Sequence, residues 1–246
     1  MDADLPRSPH KGWPSLPENR RIYCVGDLHG RLDLLDGVLG RITSDLAADP
    51  AEDMLFVFLG DYLDRGPNSF GVIERLSALS DIVPTVFLKG NHEAVLIDFL
   101  WQPLVLPFWK SMGGYPTLLS YGLVPPLQPT EQDCYEIAHA LQAAMPDRHR
   151  TFFESLRAYH IEGDFLFVHA GIQPGRPIEA QEERDLLWIR DRFLSWPRRH
   201  DKFVVHGHTP VREPEIRTNR ANIDTGGYAT GNLSCLVLEG DRLRFV

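Results

Sequence analysis

The first hundred residues repeat one pattern three times: an apolar run, a polar loop that contains glycine, and a segment with helical spacing of apolar residues. The apolar runs span residues 22–25, 54–59 and 82–88, and the helical spacing covers residues 32–42, 69–79 and the segment from Glu93. Strands that alternate with helices favour a mainly parallel sheet with helices on both faces. Ligands of such sheets bind at the carboxyl ends of the strands, so the polar loops are the expected functional region.

The rest of the chain departs from this pattern in two ways. Prolines interrupt residues 102–159, where helices are predicted over 131–144 and 148–159, and Thr130 with Asp133 predicts the N-cap of the first. Short β patterns then return, separated mostly by turns, at residues 164–168, 202–205, 221–223, 233–238 and 243–246. Because strands linked by turns are typical of antiparallel pairing, we expect a second, more antiparallel sheet.

The 246 residues are enough for one sizeable core. They predict an α/β fold with a single domain over residues 21–246, a helical insertion at about 102–159 and a flexible polar tail over residues 1–20. The net charge of −9 offers no basic field, so neither nucleic acid nor a membrane surface is an expected partner. Three cysteines without CxxC spacing, and no apolar signal or membrane segment, predict a reducing, cytoplasmic location.

Five loops at predicted strand ends carry residue types that bind divalent metals. Their sequences are GDLHG at 26–30, GDYLDRG at 60–66, GNHE at 90–93, HAG at 169–171 and HGHT at 206–209. Carboxylate, imidazole and amide oxygen suit first-row divalent ions, and the glycines let the loops turn tightly. The candidate ligands are too many for one open catalytic ion and fit two ions that share a carboxylate: Asp27, His29, Asp61, Asn91, His169 and one or both of His206 and His208.

The motifs GDLHG, GDYLDRG and GNHE, in this order and spacing, resemble those of the phosphoprotein phosphatase branch of the calcineurin-like metallophosphoesterases. The segments DLLWIRDRF at 185–193, VVHGHTP at 204–210 and NIDTGGY at 222–228 are similar to those of bacterial and phage members. The resemblance extends from about Ile22 to the C-terminus. It implies an αβ-sandwich of two mixed β-sheets flanked by helices.

The same resemblance implies a dinuclear centre of two divalent metal ions, and mixed oxygen and nitrogen ligands suit Mn, Fe, Zn or Co. A water or hydroxide that bridges the ions would attack the phosphorus atom, and no covalent phosphoenzyme is needed. By motif position, the first ion takes Asp27 and His29, Asp61 bridges the two ions, and the second ion takes Asn91, His169 and His208.

Further positions match catalytic residues of the family. Arg65 and Arg190 stand where the family places arginines on the substrate phosphate, with Asn91 beside them, and a guanidinium suits bidentate contact with phosphate oxygens. His92 would be the general acid that protonates the leaving oxygen, and Asp64 would orient it. The resemblance therefore implies complete machinery for phosphoester hydrolysis.

Several neighbouring residues keep two interpretations. Lys89 stands where many eukaryotic members carry arginine, so contact with the phosphate is one alternative for it. His206 either binds a metal or hydrogen-bonds to a ligand, and His208 is the preferred ligand because of its place in the family pattern. The core is the expected place, and a substrate groove the alternative, for Trp101, Phe108 and Trp109.

The leading functional prediction is a metal-dependent phosphomonoesterase that hydrolyses phosphoserine or phosphothreonine in proteins or peptides, with phosphotyrosine as a further candidate. A small phosphate ester is the other expected kind of substrate. The alternative is a symmetrical diadenosine tetraphosphatase, but those enzymes usually vary the Asp64–Arg65 pair and end the third motif with aspartate where this chain has Glu93. Nucleases and cyclic-nucleotide phosphodiesterases of the superfamily usually have histidine at the position of Pro210, so this residue argues against those two functions. A catalytically silent scaffold would not need to keep His92, so an enzyme is favoured.

Overall fold

The structure is a computed structural model that describes residues 13–246. Ten strands run through these residues, in chain order β1 (Arg20–Val25), β2 (Asp53–Phe58), β3 (Thr85–Phe87), β4 (Tyr159–Glu162), β5 (Phe165–Val168), β6 (Phe203–His206), β7 (Glu215–Ile216), β8 (Arg220–Asn222), β9 (Cys235–Glu239) and β10 (Arg242–Phe245). The α-helices of the same region are α1 (Leu32–Ala48), α2 (Ser69–Ser80), α3 (Asn91–Trp101), α4 (Leu106–Ser111), α5 (Tyr115–Ser120), α6 (Glu131–Ala144), α7 (Asp147–Ser155), α8 (Glu183–Trp188), α9 (Asp191–Leu194) and α10 (Gly227–Thr230). Short 3-10 helices lie at Pro103–Val105 and Ile178–Ala180.

The strands form two mixed sheets of five strands each. The first has the order β10-β9-β1-β2-β3, in which β1, β2 and β3 are parallel and β9 runs antiparallel to β1. The second has the order β4-β5-β6-β8-β7, in which β5, β6 and β8 are parallel and the edge strands β4 and β7 are antiparallel to their neighbours. The expected αβ-sandwich of two mixed sheets flanked by helices is confirmed.

Alternation along the strands divides the apolar residues between layers. In β1, Ile22 and Cys24 join a core shared with Phe165 and Phe167 of β5, so these faces of the two sheets pack together. The intervening Tyr23 faces the other way, into the larger core beneath the helices. Burying a large apolar side chain of this kind stabilises the fold by about 1.5–3 kcal/mol, so this two-sided burial holds the strand ends in place.

The predicted composition of the second sheet is wrong in two respects. The strands predicted at 233–238 and 243–246 are β9 and β10, which belong to the first sheet, and the centre of the second sheet is parallel. The physical reason is that β9 pairs with β1 along Arg21–Val25 and covers an edge that β2 leaves unpaired. Local alternation marks a strand but does not name the neighbour with which it pairs.

Several element boundaries also differ from the predictions. Strand β3 begins at Thr85 because Pro84 has no N–H to donate to the ladder, and Ile82 is 78% exposed. Helix α7 ends at Ser155, short of the predicted residue 159, because Tyr159 pairs with Val168 as the start of β4. The N-cap of α6 is confirmed, since the Thr130 side chain accepts the N–H of residue 133.

Residues 102–159, expected to be a helical insertion, contain α4 to α7 and are called here the helical segment 102–159. Of the expected tail 1–20, residues 1–12 lie outside the described residues. Leu16 is buried and donates its N–H to the carbonyl of Gly240, and the Trp13 ring lies 5.7 Å from that of Phe203. This part of the expected tail therefore packs against the domain instead of extending into solvent. No helix within residues 13–246 is long and apolar enough to cross a membrane.

Candidate active site

The five polar loops lie together beyond the carboxyl ends of β1, β2, β3, β5 and β6. The N–H of His29 donates to the carbonyl of Asp61 at 2.7 Å, and the N–H of Gly207 donates to the carbonyl of His169 at 2.8 Å. Left-handed backbone at a non-glycine residue costs about 1–3 kcal/mol, and such strain concentrates here. The non-glycine residues with positive φ in these loops are His29, Asp61, Asp64, Arg65 and His208.

Asp61 is shared by two clusters of candidate metal ligands. Its Oδ2 lies 3.5 Å from His29 Nε2 and 3.8 Å from His92 Nε2. Its Oδ1 lies 3.4 Å from His169 Nε2, and His208 completes this second cluster. Burial raises the pKa of Asp61, but the surrounding imidazoles outweigh burial and hold the pKa below its ordinary value. One ionised carboxylate therefore faces two candidate ion positions.

Backbone carbonyls orient two of the imidazoles toward Asp61. Nδ1 of His29 lies 3.0 Å from the carbonyl oxygen of Leu63, and Nδ1 of His169 lies 2.9 Å from that of Leu59. Each Nδ1 therefore carries the proton and donates it, which leaves the Nε2 lone pair facing the cluster. Burial lowers the pKa of His29 to about 3 and also lowers the pKa of His169, so both rings are neutral near pH 7 and suited to bind a metal.

Asn91 provides a test of whether a cation fits between these groups. Its Oδ1 lies 2.9 Å from Nε2 of His169 and 2.9 Å from Nδ1 of His208. Because the proton of neutral His169 is on Nδ1, its Nε2 and the amide oxygen are two acceptors that face each other with no proton between them. A divalent ion would satisfy both acceptors, so the donor set fits the metal that the sequence predicts.

Asp27 lies beside the two clusters but belongs to neither. Its Oδ2 accepts the N–H of His208 at 3.1 Å, and a Cβ at Gly207 would overlap its carboxylate. Burial and the neighbouring Asp224 raise the pKa of Asp27. A nearby divalent cation would favour ionisation of this buried pair, so Asp27 stays a prediction as a ligand of the first ion.

Glu93 ties the Asp61 loop to the loop that begins α3. Its Oε2 accepts the N–H groups of Asp61 and Gly90, and its Oε1 accepts the N–H of Tyr62, each at 2.8 Å. Burial and the charge of Asp61 raise the pKa of Glu93 to about 8, while the backbone donors favour its charged form. Gly90 has no room for a Cβ, which would overlap the Asp61 side chain. Glu93 therefore holds the shared carboxylate in place, a role that the sequence analysis missed.

His92 and Asp64 form the predicted pair. Nδ1 of His92 donates to Oδ2 of Asp64 at 2.7 Å, and both residues are buried. Nε2, the other ring nitrogen, faces the ligand clusters, and Nη2 of Arg65 lies 3.3 Å from it. Burial lowers the pKa of His92, but the charges of Asp61 and Asp64 outweigh burial and raise the pKa overall. The Asp64 carboxylate thus fixes the ring with Nε2 next to the clusters.

Arg65 and Arg190 border the clusters. The Arg65 guanidinium lies over the Tyr228 ring, 4.6 Å from its centroid, and the same ring lies 5.2 Å from that of His29. Nε of Arg190 donates to Nε2 of His208 at 3.2 Å. Two guanidinium groups next to a metal-ligand cluster suit a negatively charged phosphate. Tyr228 was not identified from the sequence, although it ends the NIDTGGY segment.

The structure places the remaining candidates apart from the ligand atoms. Lys89 pairs with Glu183. His206 belongs to neither cluster, and its Nε2 lies 3.4 Å from the Arg220 guanidinium. The preference for His208 as the ligand is in line with this placement.

The three aromatic residues of uncertain place divide between core and surface. Trp109 is fully buried, but Trp101 is 80% and Phe108 51% exposed, so the expectation of a core position is wrong for these two. The Phe108 ring lies 6.4 Å from that of Trp188, which lies 6.2 Å from the ring of His208. An aromatic pair therefore flanks the candidate active site.

The family model described as "Calcineurin-like phosphoesterase" matches residues 20–237, which is most of the chain. The chain belongs to the calcineurin-like phosphoesterase family. This phosphoesterase is therefore a metal-binding hydrolase, and the family resemblance of its motifs is confirmed.

Curated relatives of this chain include tetraphosphatases and a protein phosphatase. The phosphoesterase is 25% identical over 232 residues to the asymmetrical bis(5'-nucleosyl)-tetraphosphatase PrpE of Halalkalibacterium halodurans. The matched region covers 86% of this chain and 87% of the relative. It is 28% identical over 221 residues to serine/threonine-protein phosphatase 2 of Salmonella typhimurium, and this match covers 87% of this chain and 91% of the relative. The tetraphosphatase relatives are named asymmetrical, whereas the alternative drawn from the motifs was the symmetrical type.

Solved structures show that the fold is shared with several phosphatases. A protein assigned as a diadenosine tetraphosphatase matches with a TM-score of 0.61 at 21% identity and covers 92% of each chain. A cold-active protein tyrosine phosphatase matches with a TM-score of 0.54 at 16% identity and covers 93% of this chain and 80% of the other. These identities support the fold of the phosphoesterase and not its substrate.

Proposed function

We propose that this phosphoesterase is a protein phosphatase that hydrolyses phosphoserine and phosphothreonine, with phosphotyrosine as a further substrate to be tested. The observation that carries the proposal is the buried His92–Asp64 pair, whose free ring nitrogen faces the metal-ligand clusters. An alkoxide leaving group is strongly basic and needs a proton as it departs, and this pair is placed to supply one. The buried, unpaired cysteines support the proposed reducing, cytoplasmic location.

Two ion positions are proposed on either side of Asp61. The first would be held by Asp27 and His29, the second by Asn91, His169 and His208, and Asp61 would contact both. Mn, Fe or Zn would suit these oxygen and nitrogen donors. When bound, two such ions supply Lewis acidity toward phosphoryl oxygens and activate water for attack on phosphorus.

The residues of this chain would perform the remaining steps. Arg65 and Arg190 would bind the phosphoryl oxygens and orient the ester toward the clusters, with the amide of Asn91 beside them. Asp64 keeps Nδ1 of His92 engaged, so Nε2 is the ring atom from which a proton would pass to the leaving oxygen. The alkoxide would then depart as a neutral alcohol.

A dinucleoside tetraphosphatase is the second candidate, and the names of the PrpE relatives favour it. Asymmetrical cleavage of diadenosine tetraphosphate would release a nucleoside triphosphate and a monophosphate. A departing triphosphate is already a stabilised anion and gains little from an acid at His92. The two candidates therefore differ in how strongly they need the His92–Asp64 pair.

The test replaces His92 by Asn and compares leaving groups in single-turnover assays, which avoid limitation by product release. We expect a loss of about 10² to 10⁴ on a phosphoserine peptide, the usual worth of general acid catalysis, and a much smaller loss on nitrophenyl phosphate. The same substitution at His139, which is exposed on α6, is the matched control.

Wild-type rates on phosphoserine, phosphothreonine and phosphotyrosine peptides and on diadenosine tetraphosphate, under one metal condition, decide between the candidates. The proposal requires peptide turnover above that of the dinucleotide. Equal losses on both esters in His92→Asn with intact metal content, or a preference for the dinucleotide with triphosphate and monophosphate as products, would overturn it.

A further inference from the structure

The carboxylate of Asp64 receives more hydrogen bonds than its partnership with His92 requires. Nε1 of Trp109 donates to its Oδ2 at 2.8 Å, the oxygen that also accepts from His92. The hydroxyl of Thr117 donates to its Oδ1 at 2.6 Å. Trp109 and Thr117 are both fully buried. Each carboxylate oxygen of Asp64 is thus held by a donor from the helical segment 102–159.

Thr117 also supports the backbone of Asp64. Its Oγ1 accepts the N–H of Asp64 at 2.9 Å, while the same hydroxyl donates to the Asp64 side chain. Asp64 has a φ of 71°, so its backbone is in the strained left-handed region. The neighbouring Arg65, also at positive φ, donates its N–H to the carbonyl of Gly113 at 2.9 Å. The segment therefore binds the backbone of two catalytic candidates in a conformation that they would not adopt by themselves.

The packing of Trp109 and Thr117 makes this support rigid. The Trp109 ring packs at a tilt against Phe99 of α3, with ring centroids 5.0 Å apart, and Gly114 lies so close to the indole that a Cβ there would overlap it. Thr117 is in the first turn of α5, where Ser69 Oγ lies 2.9 Å from its hydroxyl. Both side chains are therefore held by contacts besides those with Asp64.

We infer that Trp109 and Thr117 are positioning residues that hold Asp64, and through it His92, in the geometry for proton transfer to a basic leaving group. This inference rests on the proposed function of His92. With Oδ1 engaged by Thr117 and Oδ2 shared by Trp109 and His92, the carboxylate cannot swing, so the imidazole ring has one orientation. The helical segment 102–159 is therefore part of the catalytic apparatus.

The experiment measures single-turnover rates of metal-saturated enzyme on phosphoserine peptide and on nitrophenyl phosphate. The variants are Trp109→Phe and Thr117→Val, which remove the donors and keep most of the packing, and Thr117→Ser, which keeps the hydroxyl. Trp101→Phe, at an exposed tryptophan that ends α3, is the matched control. Metal content and thermal unfolding are measured for every variant.

We expect the first two variants to lose about 10- to 100-fold on the peptide, since a hydrogen bond to a charged group is removed from the reacting arrangement. We expect a loss below about threefold on nitrophenyl phosphate, whose leaving group needs little help. Thr117→Ser should restore most of the peptide rate. A purely structural role would lower both rates by the same factor, because it would reduce the amount of active enzyme.

The result that overturns the inference is an unchanged ratio of the two rates in both Trp109→Phe and Thr117→Val. If His92→Asn shows the strong dependence on the leaving group and these variants do not, the proposed function stands and the positioning role fails. If His92→Asn shows no such dependence, both fail together. Should Thr117→Val not fold, Trp109→Phe and Thr117→Ser alone decide the outcome, since a normal ratio in Trp109→Phe contradicts the inference.

Discussion

Replacement of Glu93 should separate its structural role from its charge. The carboxylate accepts three backbone N–H groups, from Asp61, Tyr62 and Gly90, and all of these contacts are buried. Each buried donor left without a partner costs about 1–3 kcal/mol, so Glu93→Ala should lose about 3–9 kcal/mol of unfolding free energy. Since whole domains are stable by only about 5–15 kcal/mol, we expect this variant to be mostly unfolded or strongly destabilised.

Glu93→Gln gives the intermediate case. Its amide oxygen, placed at the Oε2 position, keeps the N–H groups of Asp61 and Gly90, but its NH₂ group then faces the N–H of Tyr62. The buried N–H of Tyr62 then has no acceptor, which costs about 1–3 kcal/mol. The order of stability should therefore be wild type, Glu93→Gln, Glu93→Ala.

Urea unfolding followed by circular dichroism, with chelator present so that metal binding does not contribute, measures these differences. Glu154→Gln, at an exposed position in α7, is the control and should change the unfolding free energy by less than about 0.5 kcal/mol. A Glu93→Ala variant whose unfolding free energy lies within about 1 kcal/mol of the wild-type value would refute the reasoning. It would mean that the loop amides find other partners and that Glu93 does not hold the Asp61 loop.

Three further predictions concern the ligand clusters and the arginines. Asp61→Asn should lower activity by more than about 100-fold, beyond the about 10- to 100-fold typical of residues that only support a ligand, whereas Lys89→Ala, at a surface pair, should have little effect. Chelated wild type should be inactive. Full turnover after verified metal removal would defeat the dinuclear mechanism. Arg190→Ala should weaken inhibition by inorganic phosphate by about 10- to 100-fold, the worth of a hydrogen bond to a charged group, with metal content unchanged; unaltered phosphate affinity in the folded variant would remove Arg190 from the phosphate site. Tyr228→Leu should raise KM by about two- to fivefold through loss of its cation–π contact with Arg65. Tyr228→Phe keeps the ring and should keep KM. Equal KM values for the two variants would contradict this role.

The local sequence was sufficient to predict the elements that carry the motifs. Apolar runs and helical spacing along residues 22–100 identified three strand–loop–helix units, because these patterns reflect which parts of each element are buried. Since parallel strands end at one edge of a sheet, the loops that follow them could be expected to meet, and Asp61, His169 and His208 do lie in one cluster. The two ligand types in that cluster, carboxylate and imidazole, were also legible from the sequence.

Sheet membership depended on contacts that no local pattern contains. Cys235–Glu239 is a mostly apolar, buried run like that of other central strands, and only its pairing with β1, more than two hundred residues earlier in the chain, placed it in the first sheet. The approximate start of the strand was therefore predictable, but its partner was not. Strand pairing is chosen by the free edge and the faces available after the domain has assembled.

The chemistry of the site divides in the same way. The sequence by itself determined which residues can bind metal and phosphate, because those abilities belong to the side chains of short motifs such as GDYLDRG and GNHE. Only the tertiary structure decided how they are held: Glu93 binds the N–H of Asp61, 32 residues away, and Trp109 and Thr117 reach Asp64 across 45 and 53 residues. The physical reason is that a buried carboxylate must collect its hydrogen bonds from whatever donors the packed interior brings to it, and those donors are neighbours in space but not in sequence.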